Sequence, residues 1–157
     1  MELYLILRLV HILGAAVLFG TGLGIAFFMF MADRDGNPAL IAGTARIVVV
    51  ADFLFTATAV VAQPLSGIGL ALLTGRDIWE SWIVTSLGLY ILVGVFWLPV
   101  VWLQLEMKKM AEEAILTGTA LSPRYRHFMR IWFWCGWPAF ISVLAIFYLM
   151  IAKPVLW

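Results

Sequence analysis

The chain has 157 residues, of which 64% are hydrophobic and only 12% are charged, and its mean hydropathy is +1.04. Because a soluble domain of this length carries about 25% charged residues, the composition excludes a soluble protein and predicts one dissolved in lipid. The net charge of +1 offers no basic surface for nucleic acid, and a single cysteine excludes an intramolecular disulfide and a cysteine zinc cluster.

Four apolar runs divide the chain, and each exceeds the ~20 residues that cross about 30 Å of hydrocarbon. They lie at Leu3–Met31, Ala45–Leu73, Ser81–Leu103 and Phe128–Ala152. Unpaired backbone groups are costly in lipid, so each run must satisfy its own as a helix. The sequence therefore predicts an all-α fold. We expect one domain, residues 1–157, built as a four-helix transmembrane bundle whose third helix extends into the cytoplasm.

The first predicted helix carries a histidine, His11, inside the membrane. Steps of three residues place Arg8 and Gly14 on the same face. A haem needs such an arrangement: an imidazole to ligate iron, a gap for the ring and a cation for the propionates. His11 is thus a candidate metal ligand for haem b, although a histidine hydrogen-bonded between helices has the same pattern. The sequence does not identify a second axial ligand; Ser86 and Tyr148 lie at a suitable depth.

The same helix has small residues at four-residue spacing: Ala16, Gly20 and Gly24. This spacing lets helices approach closely. The close approach could occur within the bundle, in a homo-oligomer or against a membrane partner, and the sequence does not choose among these.

Polar residues form a stripe along the second and third helices. Its members are Asp52, Thr56, Gln63, Ser66, Tyr90 and Gln104. Polar groups at membrane depth must face the bundle interior or a wet cavity, and they are functional candidates. The stripe could form a proton path or a substrate contact, or it could only hydrogen-bond the helices together.

Basic residues predict the orientation of the bundle. The loops between helices one and two and between helices three and four, with the adjoining helix ends, hold Arg34, Arg46, Lys108, Lys109, Arg124, Arg126 and Arg130. The opposite side holds Arg8, Arg76 and Lys153. The positive-inside rule then places both termini outside the cytoplasm, in a bacterial inner (plasma) membrane. Five tryptophans, at positions 79, 82, 132, 134 and 157, are predicted to lie in the interfacial belt.

Several segments together resemble an uncharacterised bacterial family of predicted integral membrane proteins, known only as a domain of unknown function. They are Leu9-Val-His11, Ala51-Asp52-Phe-Leu-Phe-Thr, Gln63-Pro64-Leu-Ser-Gly67, Trp97-Leu-Pro99 and Lys153-Pro154. The resemblance covers essentially the whole chain. It implies a membrane protein and brings no activity with it.

A more distant resemblance is to the HemJ-type protoporphyrinogen oxidases, with parts of the layout shared by copper-resistance membrane domains. It rests on the helix-one histidine, an arginine before helix two, a tryptophan opening helix three and the closing Lys-Pro. It implies haem b, with His11 as an axial ligand and Arg8 as a nearby cation. Those enzymes have a lysine near the position of Ser86, and an Asn-Glu pair where this chain has Cys135-Gly-Trp before Pro138. These departures weigh against the oxidase activity more than against the scaffold.

Three functions follow as hypotheses, and whether the protein is an enzyme is left open. The first is a haem b protein with a redox or porphyrin-related role. The second is a haem-free carrier of a small solute or ion that uses the Asp52 stripe. The third is an accessory subunit that docks a partner through the small-residue face of helix one.

Overall fold

The computed structural model describes all 157 residues, of which 87% are helical and none lies in a strand. The helices are α1 (Glu2–Asp35), α2 (Pro38–Leu73), α3 (Ser81–Thr117) and α4 (Pro123–Ala152), and each is long and apolar enough to cross a membrane. The predicted all-α, four-helix membrane architecture is confirmed. The large apolar side chains that face outward are the surface that contacts the lipid bilayer.

Two helices, α2 and α4, begin several residues before the apolar runs that predicted them, because capping residues set their starts. At α2 the Asn37 side chain accepts a hydrogen bond from the backbone N–H two residues further on, and Pro38 occupies the first turn. At α4 the Ser122 hydroxyl accepts from the N–H of Tyr125 in the same way. A side-chain acceptor at this position satisfies a backbone donor that the helix leaves free. Hydropathy predicted the apolar segments, whereas capping determines the helix starts.

Glycines end two of the helices in the left-handed backbone region. Gly36 follows α1 with φ 75°, and Gly118 follows α3 with φ 64°. Glycine adopts this conformation without steric penalty. The α3 helix therefore continues through its charged segment as far as Thr117 before it ends.

Helices adjacent in sequence pack against each other, so α1 lies along α2, α2 along α3 and α3 along α4. The contact between α1 and α4, which would complete the ring, involves only a few positions. We call the end of the bundle that carries both chain termini the termini end, and the opposite end the loop end. The seam between α1 and α4 is the loosest boundary in the fold.

Two packed clusters close the ends of the bundle. The loop-end cluster contains thirteen buried residues, among them Met29, Ile41, Met107 and Tyr125. The termini-end cluster is smaller and consists of Ala71, Trp82, Ile83 and Leu149. Between the clusters the four helices enclose a cavity.

The structure corrects the interfacial role predicted for two of the tryptophans. Trp82 and Trp132 are buried, whereas Trp79, Trp134 and Trp157 are exposed. Belt residues face the membrane interface, so the prediction was wrong for the two buried side chains. Hydropathy could not distinguish these positions because it does not show which face of a helix is covered by its neighbours.

The small-residue face of α1 is not an interhelical contact within this chain. Ala16 and Gly20 are exposed, and a Cβ atom added to Gly20 would meet nothing within 4 Å. Of the alternatives that the sequence left open, close packing inside the bundle is therefore excluded at these two positions.

Candidate functional site

The central cavity has a volume of about 520 Å³ and receives side chains from all four helices. Of its 28 lining residues, 21 are hydrophobic, and most of these come from α1 and α4. Its polar lining residues come from α2 and α3: Asp52, Thr56, Gln63, Tyr90 and Gln104. A mostly apolar cavity of this size with a few convergent polar groups is typical of a small-molecule site.

Asp52 lies at the point where α2 departs from regular α-helical geometry. Residues Asp52–Thr56 form a π-helical turn, in which the N–H of Ala57 donates to the Asp52 carbonyl five residues earlier. The position is roughly 20 Å from the start of a helix about 54 Å long, at 1.5 Å per residue. Such π-helical turns are frequent at functional sites. Here the turn places the Asp52 side chain in the cavity wall, near the middle of the helix.

The Asp52 carboxylate is the centre of a hydrogen-bond network that joins three helices. Trp97 Nε1 of α3 donates to Asp52 Oδ1 at 3.2 Å. With its amide nitrogen turned toward the carboxylate, Gln104 donates to Asp52 Oδ2 at 2.7 Å, and its amide oxygen accepts from Trp132 Nε1 of α4 at 3.2 Å. Asp52 is only 3% exposed and Gln104 is fully buried. The network therefore satisfies polar groups that would be costly to bury alone.

Thr56 is the exception in this polar set. Its side chain is 6% exposed and lines the cavity, and its hydroxyl makes no hydrogen bond to the backbone. Other helical threonines donate to the carbonyl four residues earlier, as Thr58, Thr74, Thr85 and Thr117 do. The Thr56 hydroxyl instead lies beside the Asp52 carboxylate, one turn earlier on the same helix.

Tyr90 forms a further polar contact between α3 and α2, about two turns along α3 from Trp97. Its hydroxyl donates to the backbone carbonyl of Val60 at 2.6 Å. Pro64, inside α2, has no N–H to give to that carbonyl four residues before it. A side chain of α3 thus supplies the hydrogen bond that proline removes from α2.

His11 packs against α2 outside the central cavity. Its Nδ1 lies 3.0 Å from the Ser66 hydroxyl, and its backbone carbonyl accepts from Gln63 Nε2 at 2.7 Å. A Cβ atom added at Gly67 would lie 3.1 Å from His11 Cε1, so glycine allows the imidazole to approach the helix backbone. The ring is therefore held by α2 as an interhelical hydrogen-bonding group.

The residues predicted to hold haem b do not fit a haem site in this arrangement. The space beside Gly14 is filled by the Gln63 amide, so the gap expected for the ring is absent. Arg8 and Tyr148 are exposed on the outer surface, Tyr148 to 65%, and the Ser86 hydroxyl donates to the Trp82 carbonyl. None of these residues, nor His11, lines the central cavity.

The structure also shows no cluster of side chains that could ligate a metal ion. No group of three or more His, Cys, Asp or Glu side chains comes together as a metal site. A second depression, of about 560 Å³, lies on the outer surface beside His127, Arg130 and Cys135. It is separate from the central cavity and shares no lining residue with it.

Sequence reasoning identified the polar stripe but not its centre. All the stripe residues on α2 are buried, as is Gln104 of α3. The role of Trp132 in the network was missed because this tryptophan was predicted to lie in the interfacial belt. The π-helical turn was missed because it has no recognised sequence signal. The available indication in the sequence was an aspartate within an apolar run, six residues from Arg46, the nearest basic residue of its helix.

Comparison with known proteins identifies the family to which the chain belongs. A family model described as "predicted integral membrane protein (DUF2269)" matches residues 5–154, nearly the whole chain. This finding supports the resemblance to an uncharacterised membrane family. No curated protein and no solved structure matches the chain, and the resemblance to HemJ-type oxidases and copper-resistance domains is not shown.

Proposed function

Since the chain belongs to the DUF2269 family of predicted integral membrane proteins, we propose from its structure that it is a haem-free carrier for a small, largely apolar molecule. The molecule binds in the central cavity, with its polar group beside Asp52. One observation carries the proposal: a buried aspartate and its polar neighbours line an otherwise apolar cavity between four membrane helices. Polar groups at this depth are expensive and mark solute pathways.

The rival interpretation is that the stripe only joins the helices. It accounts for Trp97, Gln104 and Tyr90, which all have partners in the protein. It does not account for the open volume that separates α1 and α4 from the polar wall. A purely structural network would be expected to close around its polar groups, because a void loses packing contacts.

Filling the cavity tests the proposal. Gly94 lines the cavity, and a Cβ atom added there meets nothing within 4 Å, so Gly94→Leu adds a side chain to the empty space. Gly88 lies on the same helix, has equally open surroundings and does not line the cavity, so Gly88→Leu is the matched control. The protein is placed in nanodiscs of uncharged lipid. Energy transfer from its tryptophans reports binding of 1-pyrenemethylamine or 1-pyrenemethanol.

We expect Gly94→Leu to weaken the binding of at least one probe by about tenfold or more. The reason is that the added side chain occupies the small apolar site and removes most of the contacts that the probe would make there. Gly88→Leu should bind as the wild type does. If the two variants bind both probes equally well, the cavity is not the binding site and the proposal fails.

We also propose an orientation and a location. The excess of Lys and Arg at the loop end supports a cytoplasmic loop end and outward-facing termini, in a bacterial inner membrane. Alkaline phosphatase fused after Trp157 is active only outside the cytoplasm. Activity of this fusion, and its absence when the enzyme is inserted between Gly118 and Ser122, is the expected result; the reverse pattern would invert the topology.

A further inference from the structure

The carboxylate of Asp52 has no cation in the protein to balance it. The three ion pairs of the structure join Arg76 to Glu80, Lys108 to Glu112 and Lys109 to Glu106, all at the ends of helices or in loops. No Lys, Arg or His nitrogen lies within 4 Å of Asp52. Its two neighbours in the network, Trp97 and Gln104, are neutral donors. A buried carboxylate is costly unless a positive charge accompanies it.

The groups around Asp52 suit a cation with hydrogen atoms to donate. The Thr56 hydroxyl lies beside the carboxylate, one turn along α2, and its oxygen has lone pairs that can accept a hydrogen bond. The aromatic side chains of Tyr90, Trp97 and Trp132 also line the cavity, and an aromatic ring attracts a cation that meets its face. An ammonium group, with up to three donors, would find both an acceptor and a counter-charge here.

The cavity opens sideways, toward lipid. Its exposed lining side chains are Leu23, Phe27, Phe30, Phe133 and Trp137. All of them belong to α1 or α4, whereas the polar lining residues of α2 are buried. The loop-end and termini-end clusters close the two ends of the bundle. A ligand therefore reaches the cavity between α1 and α4, through the bilayer.

Aromatic pairs bridge this seam. Phe19 of α1 stacks on Phe140 of α4 at 5.8 Å between ring centroids and meets Phe147 at 5.6 Å. Phe30 meets Phe133 at 5.9 Å nearer the loop end. Each such pair is a weak interaction, so the seam can part at modest cost. Its wall is apolar and suits the hydrophobic body of a lipid-soluble molecule.

We propose that the ligand is an amphiphilic monocation, an ammonium group on an apolar body, which enters from the bilayer between α1 and α4 and pairs its ammonium with Asp52 and Thr56. This inference rests on the proposed function and names the class of molecule that the cavity takes. Binding is an ion pair with hydrogen bonds, and no covalent step is involved.

A pair of probes that differ only in charge tests the inference. 1-Pyrenemethylamine is an ammonium cation at neutral pH, and 1-pyrenemethanol is its neutral counterpart of nearly the same shape. Affinities are measured in uncharged-lipid nanodiscs, relative to empty nanodiscs, so that partition into lipid is subtracted. The proteins compared are the wild type, Asp52→Asn, Asp35→Asn and Gly94→Leu. Asp35 is an exposed aspartate at the end of α1 and is the matched control for loss of a carboxylate.

In the wild type we expect the amine to bind about tenfold or more tightly than the alcohol, since a buried charge pair contributes at least this much. Asp52→Asn should abolish the preference by weakening the amine alone, and Asp35→Asn should keep it. Gly94→Leu should weaken both probes.

Each other outcome has a defined meaning. If the wild type binds both probes equally and Gly94→Leu weakens both, the cavity binds neutral molecules; the monocation is then wrong and the proposed function stands. If the wild type prefers the amine but Asp52→Asn keeps the preference, Asp52 is not the counter-charge and the inference is overturned. If Gly94→Leu affects neither probe, the proposed function itself fails. If Asp52→Asn does not fold, a wild type that binds both probes equally still overturns the inference.

Discussion

The hydroxyl of Tyr90 donates to the carbonyl of Val60 at 2.6 Å, and this carbonyl is the one that Pro64 leaves without a helical partner. In water such a carbonyl would bond to solvent. Within the hydrocarbon it must find a donor in the protein, because unsatisfied backbone groups cost several kcal/mol there. The tyrosine on α3 therefore makes the proline in α2 tolerable, and the two residues should depend on each other.

A double-mutant cycle measures this dependence. Tyr90→Phe alone is expected to lower the free energy of unfolding by about 1 kcal/mol, the scale of an interhelical hydrogen bond in a membrane protein. In a Pro64→Ala background the loss should be less than half as large, since the new N–H of residue 64 can bond to Val60. SDS titration of the refolded protein gives the four values. Tyr148→Phe, an exposed tyrosine with no hydrogen bond in the structure, should change nothing. Equal losses in both backgrounds would contradict the relationship.

Trp132 should contribute to stability through its indole N–H. Trp132→Phe removes the donor to the Gln104 amide oxygen while keeping an aromatic ring. A buried acceptor left without its donor costs about 1–3 kcal/mol. Trp134→Phe, two residues away and exposed to lipid, should cost nothing measurable. Thermal unfolding in detergent compares the two. Similar melting temperatures for both variants would argue against the network.

Close approach between α1 and α2 makes Gly14 sensitive to a single methyl group. A Cβ atom there would collide with the Gln63 amide, which holds the His11 carbonyl. We expect Gly14→Ala to destabilise the protein by about 1 kcal/mol, because the end of the Gln63 side chain must move away and loses that hydrogen bond. Gly20→Ala, on the same helix with open surroundings, should be neutral or slightly stabilising. If both substitutions are neutral, the α1–α2 contact is looser than the structure shows.

Haem ligation by His11 can be tested optically. Because the imidazole bonds to Ser66 and the space beside Gly14 is filled, we expect no Soret band dependent on His11. The measurement is the reduced-minus-oxidised spectrum of protein purified after expression with ample haem, wild type beside His11→Ala. A b-type α-band in the wild type that disappears in His11→Ala would restore the cytochrome hypothesis and require α1 and α2 to separate.

Entry through the seam predicts a change in rate. Phe19→Ala removes both aromatic pairs that this residue makes with α4, so 1-pyrenemethylamine should enter faster from the bilayer. We expect an acceleration of about tenfold, from the loss of roughly 1.4 kcal/mol of aromatic contact. Phe128→Ala removes an aromatic pair with Trp102 away from the cavity and should not alter the rate. Stopped-flow fluorescence follows both. Unchanged entry in Phe19→Ala would exclude this seam as the route.

The sequence was sufficient for the architecture and for the polar residues of the cavity. Lipid imposes one strong rule, that each apolar run satisfies its own backbone, and four runs then predict four helices. The burial of Asp52, Thr56, Gln63 and Ser66 follows from the same physics, since polar groups avoid lipid.

The sequence did not show which face of each helix packs against which neighbouring helix. The period of a helix places His11 and Gly14 on one side, but it does not show that Gln63 fills the gap. Trp132 and Trp134 are alike in hydropathy, and only the neighbouring helices decide that one is buried. The π-helical turn at Asp52 is likewise a product of packing, because it shifts the register of α2 by one residue.

The loose seam also has a consequence for biogenesis. It joins α1 and α4, the first and the last of these four helices to leave the ribosome. The first three helices can associate as each is inserted, but the fourth wall of the cavity does not exist until α4 has been inserted. During that interval Asp52 can bond to Trp97 and Gln104 of α3. The amide oxygen of Gln104 still lacks its donor, Trp132 of α4. Insertion of the last helix therefore both closes the cavity and completes the hydrogen bonding of its polar wall.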